Sequence, residues 1–174
     1  MNKARVAALT GIFAVLAVAQ QQKRVSPHET ASTTLNGGKV SITYGRPYMK
    51  GRKIIGGLVP MDKVWRTGAD EATKLTTDTA LTIGDLRVPP GSYSLFTIPG
   101  AAKWTLIVNK TADQWGAFNY DEKADLGRTE MKVTPASAPV EQFTILFVPN
   151  GKSAATLEMT WENTQASVPV KAVK

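Results

Sequence analysis

The sequence contains no cysteine and a single histidine, and these two shortages exclude several kinds of site. A chain without cysteine has no disulfide, no thiolate metal ligand, no cysteine nucleophile and no lipidated N-terminal cysteine. With His28 alone, a multi-histidine metal centre is impossible. We therefore expect no metal site and no cofactor, and a fold that depends on its hydrophobic core for stability.

Long hydrophobic runs are also missing, except near the N-terminus. Residues 6–18 are uncharged and mostly apolar, follow Lys3 and Arg5, and lead into the small-x-small sequence Ala17-Val18-Ala19. The run has about 13 residues, whereas a membrane span needs about 20. The pattern predicts a signal peptide over residues 1–19, cleaved after Ala19, and a periplasmic or secreted protein without stable membrane insertion. We expect a flexible mature N-terminus over residues 20–28 and one domain over residues 29–171.

The positive charge of the chain is concentrated in one segment. Without Lys3 and Arg5, 19 basic and 14 acidic residues remain, a net charge of +5. Residues 39–66 alone hold seven basic residues against Asp62, a net charge of +6. An exported protein of modest overall charge density does not fit a nucleic-acid partner. A local site for an anion fits the pattern better.

Period-two alternation of apolar and polar residues dominates the chain after residue 29 and predicts an all-β fold. Turn residues at Asn36-Gly37 and Asn150-Gly151 predict two hairpins, the first over residues 30–45. We expect an antiparallel β-sandwich, jelly-roll-like or Greek-key, with about eight to ten strands. An apolar face formed by Phe143, Ile145 and Phe147 should point inward.

Two stretches, residues 47–70 and 111–128, resist the strand pattern and predict long loops. They are rich in glycine, charge and aromatic residues, and loops of that length in a compact domain are usually functional or disordered. Aromatic residues such as Trp65 and Trp115 argue for packed loops, and these two are candidates for stacking on a sugar.

The densest polar cluster lies in and beside the first of these loops, and three interpretations of it remain open. Its arginines suit bidentate capture of a carboxylate or phosphate, which predicts a non-catalytic binding module for a small anionic or glycan ligand. Alternatively, Asp70 or Glu71 serves a hydrolase of glycan or cell-wall material, although adjacent residues of an extended chain point to opposite faces. In the third interpretation, Arg46 or Arg66 pairs with one of these carboxylates as an internal clasp of a structural or protein-interaction domain. The candidate ligand-binding residues are Tyr44, Arg46, Arg52, Trp65, Arg66, Asp70 and Glu71.

Standard catalytic signatures are not present. The glycines at positions 51 and 56 have the spacing of a phosphate-binding loop, but Gly57 and Leu58 replace the required Lys and Ser or Thr. His28 lies close to the expected mature N-terminus, where we expect a surface or capping role. The sequence therefore identifies no catalytic residue.

The order of several motifs resembles the exported bacterial family known as domain of unknown function 2911. The most specific of them spans residues 64–73, and the others are Ser26-Pro27-His28, Tyr44-Gly45-Arg46-Pro47, Pro90-Gly91-Ser92-Tyr93 and Trp104-Thr105-Leu106-Ile107. The resemblance covers about residues 26–170. It implies a signal-bearing, β-rich single domain and no particular activity, so it provides no catalytic residue.

Overall fold

The computed structural model describes residues 23–173, which form an antiparallel β structure. The predicted signal peptide, residues 1–19, lies outside the described residues. Within the described part, no helix is long and apolar enough to cross a membrane. A 3-10 helix, Glu122–Ala124, lies between the seventh and eighth strands. The strands are β1 His28–Leu35, β2 Gly38–Gly45, β3 Thr73–Thr77, β4 Leu81–Ile83, β5 Leu86–Val88, β6 Gly91–Ile98, β7 Lys103–Asn109, β8 Asp125–Pro149 and β9 Ala154–Ala172.

All nine strands belong to one sheet, in the order β1-β2-β3-β6-β7-β8-β9-β4-β5. The prediction of an all-β antiparallel fold with about eight to ten strands is confirmed. Although three strands separate β2 from β8 in the sheet, Ile145 N on β8 donates to the Tyr44 hydroxyl on β2 at 2.9 Å. Asn36 N, at the tip of the first hairpin, likewise donates to Lys152 O at 2.8 Å. The sheet therefore curls back on itself, and both layers of the sandwich-like structure come from one hydrogen-bonded sheet.

Both predicted hairpins are present. Asn36 and Gly37 have φ angles of +51° and +86°, as the two central residues of a type I′ turn require. Gly151, with φ of +94°, lies in the turn between β8 and β9. The sequence predicted no strand over residues 125–140, which form the first part of β8. Pro135 and Pro139 weaken the strand pattern there, and the β8–β9 pairing is itself irregular between Pro135 and Thr144.

The core fills the space between the two layers and is rich in aromatic residues. Phe143 and Ile145 are 0% and 2% exposed, and Phe147 is half-buried against the same core. A smaller cluster around Phe96 and Ile107 lies on the opposite face of β6 and β7. Residues of both predicted long loops pack on this second cluster, namely Val64, Ala117 and Tyr120. The loops therefore cover one face of the sheet, and their conformation is tied to it.

Candidate functional site

The loop between β2 and β3, residues 46–72, is fixed to the end of β6. Trp65 N donates to Thr97 O at 2.8 Å, and Thr97 N donates back to Trp65 O at 2.9 Å. The hydroxyls of Thr67 and Thr97 are 3.1 Å apart and hydrogen-bonded. On the other side the loop touches β2 at Gly45, where a Cβ atom would lie 2.2 Å from Ala69 O. A glycine at this position therefore lets the loop approach β2 closely.

The loop backbone bends sharply between Trp65 and Glu71. Thr67 and Asp70 have φ angles of +58° and +63°, in the left-handed region that residues other than glycine rarely adopt. Trp65 is 8% exposed, and its ring stacks on Trp161 at a centroid distance of 6.0 Å. The buried indole anchors the segment to the core, next to the bend that carries Arg66, Asp70 and Glu71.

The segment that leads into β1, residues 24–28, lies against this bend and is called the N-terminal arm below. Val25 N and Ser26 N both donate to the Asp70 carboxylate, at 3.0–3.2 Å. Arg24 Nη2 lies 2.6 Å from Glu71 Oε1, and His28 Nε2 lies 2.9 Å from Glu71 Oε2. The two adjacent carboxylates therefore both bind the arm, one through its backbone and the other through its side chains.

A cavity of about 450 Å³ lies between the arm, the loop and the sheet, and we call it the cation cleft. Three basic residues line it, Lys50, Arg52 and Arg66, whereas Asp70 is its one acidic lining residue. Its remaining lining residues are Val25, Ser26, Pro47, Tyr48, Leu58, Val59, Trp65, Gly68, Ala69 and Trp161. The volume falls in the range usual for small-molecule sites.

Arg66 differs from the other arginines in its surroundings. Its Nε atom is buried, and it has no hydrogen-bond partner among residues 23–173. No salt bridge within 4.0 Å joins Arg66 to a carboxylate in that part of the chain. Burial lowers the pKa of the Arg66 guanidinium, and the nearby charge of Asp70 offsets this only in part. Arg66 is thus a half-buried cation without a direct partner among the described residues.

The other candidate residues have internal partners. Arg46 forms an ion pair with Glu29 and donates to Phe143 O and Thr144 Oγ1, and it lines neither cavity described here. Arg52 donates from Nε and Nη2 to the carbonyl oxygens of Met49 and Tyr48, at 2.9 and 2.7 Å. Arg52 therefore keeps Nη1 available toward the cation cleft, whereas the Arg46 guanidinium is engaged at the contact between β2 and β8.

A second cavity, of about 620 Å³, lies on the other side of the N-terminal arm and is called the Glu71 cleft. Its lining includes Trp115 and Tyr44, which is 1% exposed. Its charged residues pair with one another, since Lys74 lies 2.8 Å from Asp113 while Arg24 and His28 contact Glu71. Burial alone would raise the pKa of Glu71, but the hydrogen bonds from Arg24 and His28 hold it below its ordinary value.

The structure thus divides the sequence-predicted site residues between two cavities. Arg52, Trp65, Arg66 and Asp70 meet at the cation cleft, whereas Tyr44 and Glu71 line the Glu71 cleft. Asp70 and Glu71 line different cavities, and the left-handed backbone at Asp70 shows that a bend and not extended-strand alternation separates them.

Comparison with known proteins identifies the family of this chain. The model of the family described as Protein of unknown function (DUF2911) matches residues 26–170. The chain belongs to this family. No curated protein and no solved structure matches it.

The DUF2911 match includes the whole β2–β3 loop and begins within the N-terminal arm. Several residues of the cation cleft escaped the sequence analysis, notably Val25, Leu58 and Trp161. Val25 reaches the cleft from 45 positions before Asp70 in the chain, and Trp161 reaches it from β9. Such contacts leave no local pattern in the sequence. The charge excess over residues 39–66 was the available signal, and of its seven basic residues Lys50, Arg52 and Arg66 line the cleft.

Proposed function

We propose that this DUF2911 protein is a non-catalytic, exported binding module that takes a small anionic ligand in the cation cleft. The observation that carries the proposal is the half-buried Arg66 guanidinium, whose buried Nε has no partner among the described residues. A buried polar group left without a hydrogen bond costs about 1–3 kcal/mol. A carboxylate or phosphate in the cleft would accept hydrogen bonds from the Nη groups of this guanidinium, which no described residue engages, and would neutralise its charge.

The balance of charge at the cleft supports an anion rather than a cation or a neutral ligand. Lys50, Arg52 and Arg66 line the cleft together with one carboxylate, that of Asp70. Both oxygens of Asp70 already accept hydrogen bonds from the N-terminal arm. Asp70 therefore competes less strongly with an anionic ligand for the Arg66 guanidinium. The cleft therefore keeps an excess of positive charge and free donors.

The carboxylates lend less support to the hydrolase alternative. A general acid needs a raised pKa, whereas the pKa of Glu71 is lowered. Asp70 faces the other cavity, and its oxygens hold the backbone of the arm. Export rests on the sequence of residues 1–19, which has the pattern of a cleaved signal peptide.

Isothermal titration calorimetry of the protein with acetate, phosphate and 3-phenylpropionate tests the binding proposal. We expect at least one of these anions to bind, and Arg66→Met to weaken that binding at least tenfold, because a charge-assisted hydrogen bond contributes about 1.5–3 kcal/mol. Arg87→Met is the matched control, since Arg87 is exposed and lines neither cavity.

The control variant should bind the same anion as tightly as the unmodified protein does. If none of the three anions binds, or if Arg66→Met binds them unchanged, the proposal is wrong. Binding of a neutral sugar such as methyl glucoside in their place would favour a glycan ligand.

A further inference from the structure

We propose that the ligand of the cation cleft is an amphipathic anion, with a carboxylate or phosphate head bound by Arg66 and an apolar body that covers the rim. This inference rests on the proposed function and specifies the ligand class. Its basis is the position of exposed apolar side chains. Val25, Tyr48 and Leu58 are 87%, 41% and 47% exposed, and all three line the cation cleft.

Such a concentration of exposed apolar side chains at one cavity is unusual for a surface. Three other large hydrophobic residues of the described chain are exposed, Phe118, Leu146 and Val148, and none of them lines this cleft. Clustered apolar exposure beside polar groups is typical of a binding site, whereas scattered single residues need no explanation. The apolar rim therefore favours a ligand with an apolar part, because a bare inorganic anion would leave these side chains uncovered.

The rim of the cleft comes from two segments, the N-terminal arm and the β2–β3 loop, which hydrogen bonds hold together. Val25 lies on the N-terminal arm that Asp70 holds in place, while Tyr48 and Leu58 lie on the β2–β3 loop. Arg52 donates to Tyr48 O at 2.7 Å, which keeps this guanidinium beside the Tyr48 backbone. A ligand whose charged end meets Arg66 and Arg52 has these three apolar side chains around its remaining surface.

Aromatic side chains extend the apolar surface of the cleft inward. Trp65 and Trp161, stacked at 6.0 Å, also line the cavity. Both are almost fully buried, with exposed fractions of 8% and 2%. Since they expose so little surface, neither tryptophan offers a sugar ring an open face on which to stack, whereas an alkyl or phenyl group can contact Tyr48, Leu58 and Val25 at the rim.

Calorimetry with three matched probes tests this ligand class. The probe 3-phenylpropionate has both the charge and the apolar body, acetate has the charge alone, and 3-phenylpropionamide has the apolar body alone. We expect 3-phenylpropionate to bind at least tenfold more tightly than either of the others, since burial of only a few methylene-sized groups is enough for a tenfold gain in affinity. Phenyl phosphate, as a fourth probe, distinguishes a phosphate head from a carboxylate head.

Two leucine variants locate the apolar contact. Leu58→Asn should weaken 3-phenylpropionate binding about three- to tenfold and leave acetate binding unchanged, because only the apolar body reaches Leu58. Leu146→Asn is the matched control, since Leu146 is 38% exposed on β8 and does not line the cleft. It should bind 3-phenylpropionate as the unmodified protein does.

The outcomes separate this inference from the proposed function. If acetate binds as tightly as 3-phenylpropionate and Arg66→Met abolishes both, the anion site stands and the amphipathic ligand is wrong. If 3-phenylpropionamide binds as tightly as the acid, the cleft recognises the apolar body alone and both proposals are wrong. Equal 3-phenylpropionate affinity in Leu58→Asn would also overturn the amphipathic ligand.

Discussion

Asp70 holds the N-terminal arm at the cation cleft without forming an ion pair with Arg66. Its carboxylate lies close enough to Arg66 to favour the charged guanidinium, yet its oxygens accept hydrogen bonds from Val25 N and Ser26 N. The left-handed backbone at Asp70, with φ of +63°, turns the carboxylate toward the N-terminal arm. Asp70 therefore acts mainly as the acceptor that holds the arm in place.

Replacement of this acceptor should release the arm. In Asp70→Asn the amide group keeps one acceptor oxygen, and its NH₂ faces backbone donors, so we expect the free energy of unfolding in urea to fall by about 1.5–3 kcal/mol. Trypsin should also cleave after Arg24 faster than in the unmodified protein. Asp62→Asn is the control, because Asp62 is exposed and also has a left-handed backbone, with φ of +58°.

The control should stay within about 0.5 kcal/mol of the unmodified protein, as is usual for surface substitutions. Cleavage after Arg24 at the same rate in all three proteins would contradict the role of Asp70.

The sequence identified the residue types of this site but not their partners. It grouped Arg46 with Arg52 and Arg66 because they are close in the chain, whereas curling of the sheet brings Arg46 to Phe143 and Thr144.

Among the elements, β2 and β8 decide whether the curled sheet closes on its core. Tyr44 on β2 is 1% exposed, and its hydroxyl accepts from Ile145 N and lies 3.4 Å from Ile145 O. Its ring also meets that of Phe143 edge to face at 5.7 Å. The Tyr44 side chain therefore provides the acceptor for Ile145 N at the contact between β2 and β8, which are not neighbours in the sheet.

Removal of that hydroxyl should weaken the closure. Tyr44→Phe leaves the buried N–H group of Ile145 without its partner, so we expect a loss of about 1–3 kcal/mol in the free energy of unfolding by urea. Tyr48→Phe is the control, because Tyr48 is 41% exposed and lies just after β2. It should change the free energy of unfolding by less than about 0.5 kcal/mol. Equal losses in the two variants would show that the β2–β8 hydrogen bond does not contribute.

The alternation of residues predicted most of these elements, but it could not predict how they close. Hairpins marked by Asn36-Gly37 and Asn150-Gly151 follow from local turn chemistry, which the sequence displays directly. The start of β8 does not, because Pro135 and Pro139 interrupt its pattern and its pairing with β9 is irregular. A contact such as that between Tyr44 and Ile145 joins residues 101 positions apart and has no local signal.

For the whole molecule, the arginines fall into two kinds, those that bind other parts of the protein and those with donors left for a ligand. Arg46 is an internal residue at the contact of two strands, and Arg24 fixes the N-terminal arm to Glu71. Arg66 alone combines burial with an unpartnered donor among residues 23–173. We therefore propose that Arg66 is kept for binding at some cost to stability.

Urea unfolding of the unmodified protein and of Arg66→Met, with and without the tightest-binding of the three anions, tests this claim most directly. Without the anion, Arg66→Met should be at least as stable as the unmodified protein, because the substitution removes a half-buried charge that has no direct partner among the described residues. At about 100 times its Kd for the unmodified protein, the anion should add about 2.7 kcal/mol to the unmodified protein and at most about 1.4 kcal/mol to Arg66→Met, which binds it at least tenfold more weakly. A loss of about 3–5 kcal/mol in Arg66→Met without the anion, as when a buried ion pair is broken, would contradict the account and make Arg66 a structural clasp.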